Sequence, residues 1–151
     1  MKKIIILLLL FIFVGLSNIN AISPIGSGVD GNATIIHLTN ATFKQYIFNY
    51  DVNKDWKYEG SKPCIIDFYA NWCGPCRRMA PILEEVAKDL TGKIIVYKVD
   101  TDVEQVLAQS MGVSSLPTLL FCPKEGKPQA SVGLIDKATL LKAINDVLLV
   151  K

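Results

Sequence analysis

The sequence predicts an α/β domain, with a mixed central sheet of about five strands flanked by helices on both faces. Three observations carry that expectation. The run Cys64-Ile65-Ile66-Asp67-Phe68-Tyr69 is apolar without polar alternation, as in a strand covered by helices on both sides. Strand-like and helix-like segments alternate through the first half of the chain, the pattern of parallel βαβ units. Lys124-Glu125-Gly126-Lys127 separates two strand-like runs and reads as a hairpin turn, which adds antiparallel strands to the sheet.

The 151 residues suit one domain, and 50% of them are hydrophobic, enough for a sizeable core. Residues 1–21 stand apart. Met1-Lys2-Lys3 is basic, Ile4 to Leu16 is continuously apolar, and Ser17 to Ala21 is small and polar. This is the pattern of a secretory signal peptide. The apolar run is short of the roughly 20 residues that span a bilayer, so an uncleaved anchor is the weaker reading. Without Lys2 and Lys3 the 16 basic residues become 14, matching the 14 acidic ones. A near-neutral mature domain offers no electrostatic case for nucleic acid or an anionic membrane.

Residues 22–32 form a Gly/Ser-rich linker before a domain over residues 33–151. Gly26-Ser27-Gly28-Val29-Asp30-Gly31 fits G-x-G-x-x-G but follows a cleavage site rather than a strand, so it is read as linker. Asn32-Ala33-Thr34 and Asn40-Ala41-Thr42 fit the glycosylation sequon, which matters only in a eukaryotic host. Thr34 to Leu38 predicts a short strand. Thr39 or Asn40 caps a helix carrying Phe43, Tyr46, Ile47 and Tyr50 at helical spacing. His37, the only histidine, is read as structural or solvent-facing. Asn49 to Lys62 is a polar loop, and Pro63 precedes the central strand.

A helix running to Leu90 places Met79, Ile82, Leu83, Val86 and Leu90 on one stripe, with Pro81 inside it and Gly92 at its end. Ile94 to Val99 is the next strand. Asp100-Thr101-Asp102 caps a helix carrying Val103, Val106, Leu107 and Met111, which Gly112 ends. Pro117 to Cys122 and Gln129 to Val132 are the hairpin strands. A final helix carries Leu140, Leu141, Ile144, Val147 and Leu148.

The chemistry concentrates at Trp72-Cys73-Gly74-Pro75-Cys76, where the central strand passes into a helix. Cysteines at i and i+3 on a first helical turn lie on one side, close enough for a small disulfide ring. Unpaired N–H groups and the macrodipole favour an anion there, and the thiolate is the nucleophilic form. The suggested chemistry is thiol–disulfide exchange. Asp67 is the odd residue of the apolar strand. Burial raises a carboxylate's pKa and makes it a candidate proton carrier; the alternative is a carboxylate satisfied by the backbone or by a lysine such as Lys98. A zinc site wants two close cysteine pairs and there is one. Haem attachment wants His where Arg77 stands. A purely structural disulfide is the remaining alternative.

Asp67 through Arg77 resembles the active-site segment of thioredoxins. Ala80-Pro81-Ile82-Leu83 resembles the kinked part of that family's second helix, Lys98-Val99-Asp100 the end of its third strand, Gly112 to Thr118 its cis-proline segment, and Gly133 the glycine after its last strand. The resemblance spans residues 33 to 150 and implies a thioredoxin fold. It implies that Cys73 is the exposed nucleophile, that Cys76 resolves the mixed disulfide, and that Asp67 helps move the proton of Cys76 through water. Pro117, if cis, offers a backbone edge to substrate. Trp72, Gly74, Pro75, Gly112 and Leu116 complete the substrate surface. No cofactor and no metal are expected.

Two departures stand out. Asn49 to Lys62 looks like an insertion of about ten residues, whose Trp56 and Tyr58 are expected to pack on the body. Cys64 and Cys122 are additional; in this fold they face each other on antiparallel neighbours and are expected to be buried free thiols, with a second disulfide the alternative. Gly74-Pro75 resembles reducing members, so a monomeric protein-disulfide reductase is expected. It would be periplasmic or extracellular, would act on exported proteins, and would draw electrons from a membrane donor. An oxidase or isomerase is the alternative, and a binding module that uses the same surface is a lesser one.

Overall fold

The computed structural model describes residues 35–148. The expected signal peptide, the linker, the first sequon and the start of the first strand lie outside them. The element order is β1 (Ile36–His37), α1 (Asn40–Tyr46), β2 (Cys64–Tyr69), α2 (Gly74–Asp89), β3 (Ile95–Asp100), α3 (Gln105–Ser110), β4 (Thr118–Cys122), β5 (Gln129–Val132) and α4 (Lys137–Leu148). The five strands form one sheet in the order β1-β3-β2-β4-β5. β3 runs parallel to both β1 and β2, while β4 is antiparallel to β2 and to β5.

β2 is central and spans the residues that its apolar run predicts. Successive side chains point to opposite faces, and two cores follow from that. Ile65, Val96, Leu119 and Phe121 pack with Met79, Leu83 and Val86 of α2 and with Leu140, Ile144 and Leu148 of α4. Cys64, Ile66, Phe68, Tyr97, Val99 and Cys122 pack on the other face with Phe43 of α1 and Leu107 of α3. By this alternation Asp67 points to the side covered by α2.

Thr39 is the N-cap of α1; it accepts from the Thr42 amide at 3.2 Å and exchanges a capping-box pair with that residue. The 49–62 segment packs inward, as expected: Trp56 and Tyr58 join the core on the α1 side, with Trp56 4.8 Å from Phe48 between ring centroids. α2 runs unbroken through Pro81, which lies exposed on its outer side.

The third helix differs from the sequence reading. It begins at Gln105 with Glu104 as N-cap and no side-chain cap bond, rather than at Asp100-Thr101-Asp102. Of its expected apolar stripe Leu107 is buried and Met111 packs at the edge of the core, whereas Val103 and Val106 are 72% and 62% exposed. The would-be capping residues make tertiary bonds instead. Thr101 donates to the Tyr69 carbonyl from both its amide and its hydroxyl, at 2.9 and 3.0 Å. Asp102 accepts from the Trp72 indole.

Candidate active site

β2 and β3 are parallel and in register from Cys64↔Ile95 to Tyr69↔Asp100. Their C-terminal ends therefore finish together, and the segments that leave them meet at one edge of the sheet, where ligand sites of parallel sheets form. Residues 70–73 leave β2 and open α2; residues 101–104 leave β3. The loop before β4 arrives at the same edge, because β4 is antiparallel to β2 with Phe68 opposite Thr118.

Cys73 is the N-cap of α2, with extended backbone, and its sulfur accepts the Cys76 amide at 3.1 Å. Pro75 sits in the first turn, where a missing N–H costs no helical bond. Cys73 and Cys76 form a disulfide with Cα atoms 5.2 Å apart. Both are buried, each 4% exposed, so Cys73 is not the exposed sulfur that the resemblance implies: Ala70, Tyr69 and Leu116 pack around the pair. When reduced, a thiolate at Cys73 would keep the amide bond and the positive end of a sixteen-residue helix.

The Cys73 side chain lines a groove of about 420 Å³ with Trp72, Gly74, Pro75, Leu116 and the loop residues Val113 to Ser115. Trp72 is 70% exposed, and its indole N–H donates to Asp102 at 3.2 Å, which sets the ring beside the groove. The Leu116-Pro117 peptide bond is cis. Leu116 faces the groove, whereas Pro117 is buried at the head of β4. Gly112 ends α3 with φ 69° and is exposed beyond the groove lining. That backbone region favours glycine.

Asp67 is 0% exposed, and neither of its carboxylate oxygens has a hydrogen-bond partner among the described residues. Lys98, its register partner on β3, brings Nζ to 3.8 Å. Burial pushes Asp67 up to about 6 against the opposing pull of Lys98. Lys98 Nζ also lies 4.3 Å from the centroid of the Tyr69 ring, a cation–π contact, and His37 meets Tyr69 edge-on at 6.2 Å.

Thr101, Asp102, Ala108 and Val113 to Ser115 border the groove without having been expected there. The signal was available for some of them. Val113 to Ser115 directly precede Leu116 and the expected cis-proline after it, and Thr101 and Asp102 directly follow a strand parallel to β2. Asp102 was hidden because an acidic residue before an apolar run reads as a local cap.

A family model described as thioredoxin matches residues 34–146. The chain belongs to the thioredoxin family. It is 47% identical over 111 residues to a thioredoxin of Borreliella burgdorferi, an alignment covering 74% of this chain and 95% of that protein. It is 38% identical over 107 residues to thioredoxin 1 of Nostoc sp., covering 71% and 91%. A crystal structure of chloroplastic thioredoxin z resembles it with a TM-score of 0.63 and 25% identity, over 76% of this chain and 94% of that one. The protein is thus a thioredoxin-family thiol–disulfide oxidoreductase, a protein-disulfide reductase whose substrates are disulfide-containing proteins.

Proposed function

We propose that the protein reduces disulfides of exported proteins, with Cys73 attacking and Cys76 resolving. The Cys73 thiolate attacks one sulfur of a substrate disulfide. A Cys73–substrate bond forms, the substrate bond breaks, and the departing sulfur takes up a proton. Cys76 then attacks the Cys73 sulfur, releasing the second substrate thiol and closing the Cys73–Cys76 disulfide. Two electrons leave the protein, and two protons end on the substrate sulfurs. Asp67, on the α2 side of β2, is the acceptor for the proton that Cys76 gives up. The groove between Trp72 and Leu116 takes the substrate segment.

The observation that carries the direction is Gly74-Pro75 between the cysteines. The Cys73 sulfur has the helix end and the Cys76 amide to hold its charge, and the dipeptide adds no histidine. A couple becomes a strong oxidant when its reduced form is stabilised; little added stabilisation leaves a couple that gives up electrons readily. Export is supported by the signal-peptide pattern of residues 1–21. An exported protein of this kind acts in the periplasm or outside the cell, and its regeneration then requires a membrane protein that passes electrons outward.

Equilibration against a glutathione or dithiothreitol buffer tests the direction. The expected potential lies near the thioredoxin value of about −270 mV; one near about −120 mV would make the protein an oxidase. Cys76→Ala tests the partners. Mixed disulfides through Cys73 should trap exported proteins, and trapping of cytoplasmic proteins alone would refute export.

A further inference from the structure

We propose that Cys64 and Cys122 form a second dithiol site, which closes to a cross-strand disulfide by exchange with a small-molecule disulfide such as oxidised glutathione. The two are direct register partners on β2 and β4. Directly opposed residues of antiparallel strands have Cα atoms about 4.5 or 5.5 Å apart. Both values fall inside the Cα window of disulfides, about 4.4–6.8 Å. Their side chains point to the same face, since both pack in the α1-side core. Both thiols are free and completely buried. Opposed Cβ atoms about 4.5–5.5 Å apart need a small local closing to reach the roughly 3.5–4.5 Å of a disulfide, and the reaction needs access.

The 49–62 segment governs that access. Tyr58 packs over this part of the core, and its hydroxyl donates to the Lys62 carbonyl at 2.5 Å, two residues before Cys64. The segment is pinned at Gly60, whose carbonyl accepts from Lys124 Nζ at 2.9 Å, two residues after Cys122. A second bond runs from the Glu59 amide to the Ile47 carbonyl at 2.9 Å. Opening these bonds exposes the thiol pair without unfolding the sheet. Local openings of this kind cost less than global unfolding.

One cysteine of the pair, as its thiolate, attacks the small disulfide and expels one thiol. The other then gives up its proton, attacks the sulfur of the first and expels the second thiol. One small disulfide is reduced to two thiols, and the pair loses two electrons and two protons. The six residues of β2 hold Cys64 roughly 17 Å from the Cys73 end of the strand, so the two couples exchange independently.

With Cys73→Ser and Cys76→Ser, Cys64 and Cys122 are the only cysteines left of the 4 in the chain. This full-length variant is incubated in glutathione buffers of rising oxidised fraction, quenched in acid, unfolded and alkylated. Mass spectrometry should show both alkylation sites vanishing together, with two hydrogens lost and no glutathione added. Full alkylation in the most oxidising buffer, or glutathione on single cysteines without a joined pair, would overturn the proposal. Chymotryptic mapping of the wild-type chain, cut after Phe68, reads the same joined pair if the double variant does not fold, and it reports Cys73 and Cys76 separately. Tyr58→Phe removes the bond to Lys62 and should speed closure roughly two- to tenfold; an unchanged rate would refute the role of the 49–62 segment.

Discussion

Replacing Asp67 with asparagine should make the protein more stable at neutral pH and leave it unchanged in acid. The carboxyl is completely buried, lacks hydrogen bonds, and has Lys98 at 3.8 Å as its counter-charge. Its pKa rises from 3.8 to about 6 on folding, with burial the main cause. Below pH 3.8 both folded and unfolded states hold the proton, and Asp67 imposes no cost. Between 3.8 and 6 the unfolded chain releases the proton while the folded protein keeps it, so stability falls as pH rises. Above 6 both states are charged and the loss is complete. At about 1.4 kcal/mol per pH unit, a window of about two units amounts to about 3 kcal/mol. Asparagine resembles the protonated acid in size and polarity, so it escapes this loss. Urea unfolding of the oxidised protein at pH 7.5 should show the Asp67→Asn midpoint higher by about 1–2 M, taking a slope near 2 kcal/mol/M. At pH 3.5 the two midpoints should coincide. A variant of equal or lower stability at pH 7.5, or a difference that does not change with pH, would refute the buried-charge reasoning.

Three further outcomes follow from the same geometry. Lys98→Gln removes the cation that holds Asp67 down, and should raise the pH midpoint of the Asp67-dependent step by about 1–3 units in a pH profile of single-turnover disulfide exchange. Trp72→Ala should leave urea stability within about 0.5 kcal/mol, because the ring is exposed. It should cost roughly tenfold in kcat/KM toward a protein disulfide and little toward a small-molecule disulfide, a contrast that steady-state assays of both substrates will read. Gly112→Ala meets no neighbouring atom but must adopt φ 69°, so it should lower stability by about 1–2 kcal/mol in urea unfolding.

Much of this architecture was legible in local signals. The bounds of β2 follow from an unbroken apolar run, the hairpin from its turn residues, and α2 from an amphipathic stripe behind the close cysteine pair. The Cys73–Cys76 pair is readable because its two members are three residues apart and one helical turn fixes their geometry. The sequence also marks Asp67 as anomalous, since it is the one charge inside an otherwise apolar strand.

Other features were settled by contacts between residues far apart in the chain. Asp100, Thr101 and Asp102 carry capping chemistry, yet Asp102 holds Trp72, thirty residues away, and Thr101 ties down Tyr69. The side chains of Thr101 and Asp102 are spent across the sheet edge, Asp100 closes a local turn by accepting the Asp102 amide, and α3 starts later and shorter than its composition suggests. Whether Lys98 serves Asp67, Tyr69 or neither depends on the β2–β3 register, which places it against both. The sequence by itself thus determined most of the elements and the close cysteine pair, because period and spacing act over a few residues. Tertiary structure decided the start of α3, the groove and the bond that holds Trp72, and it fixed Lys98 against Asp67 and Cys64 opposite Cys122, because these arise where strands distant in sequence are brought into register.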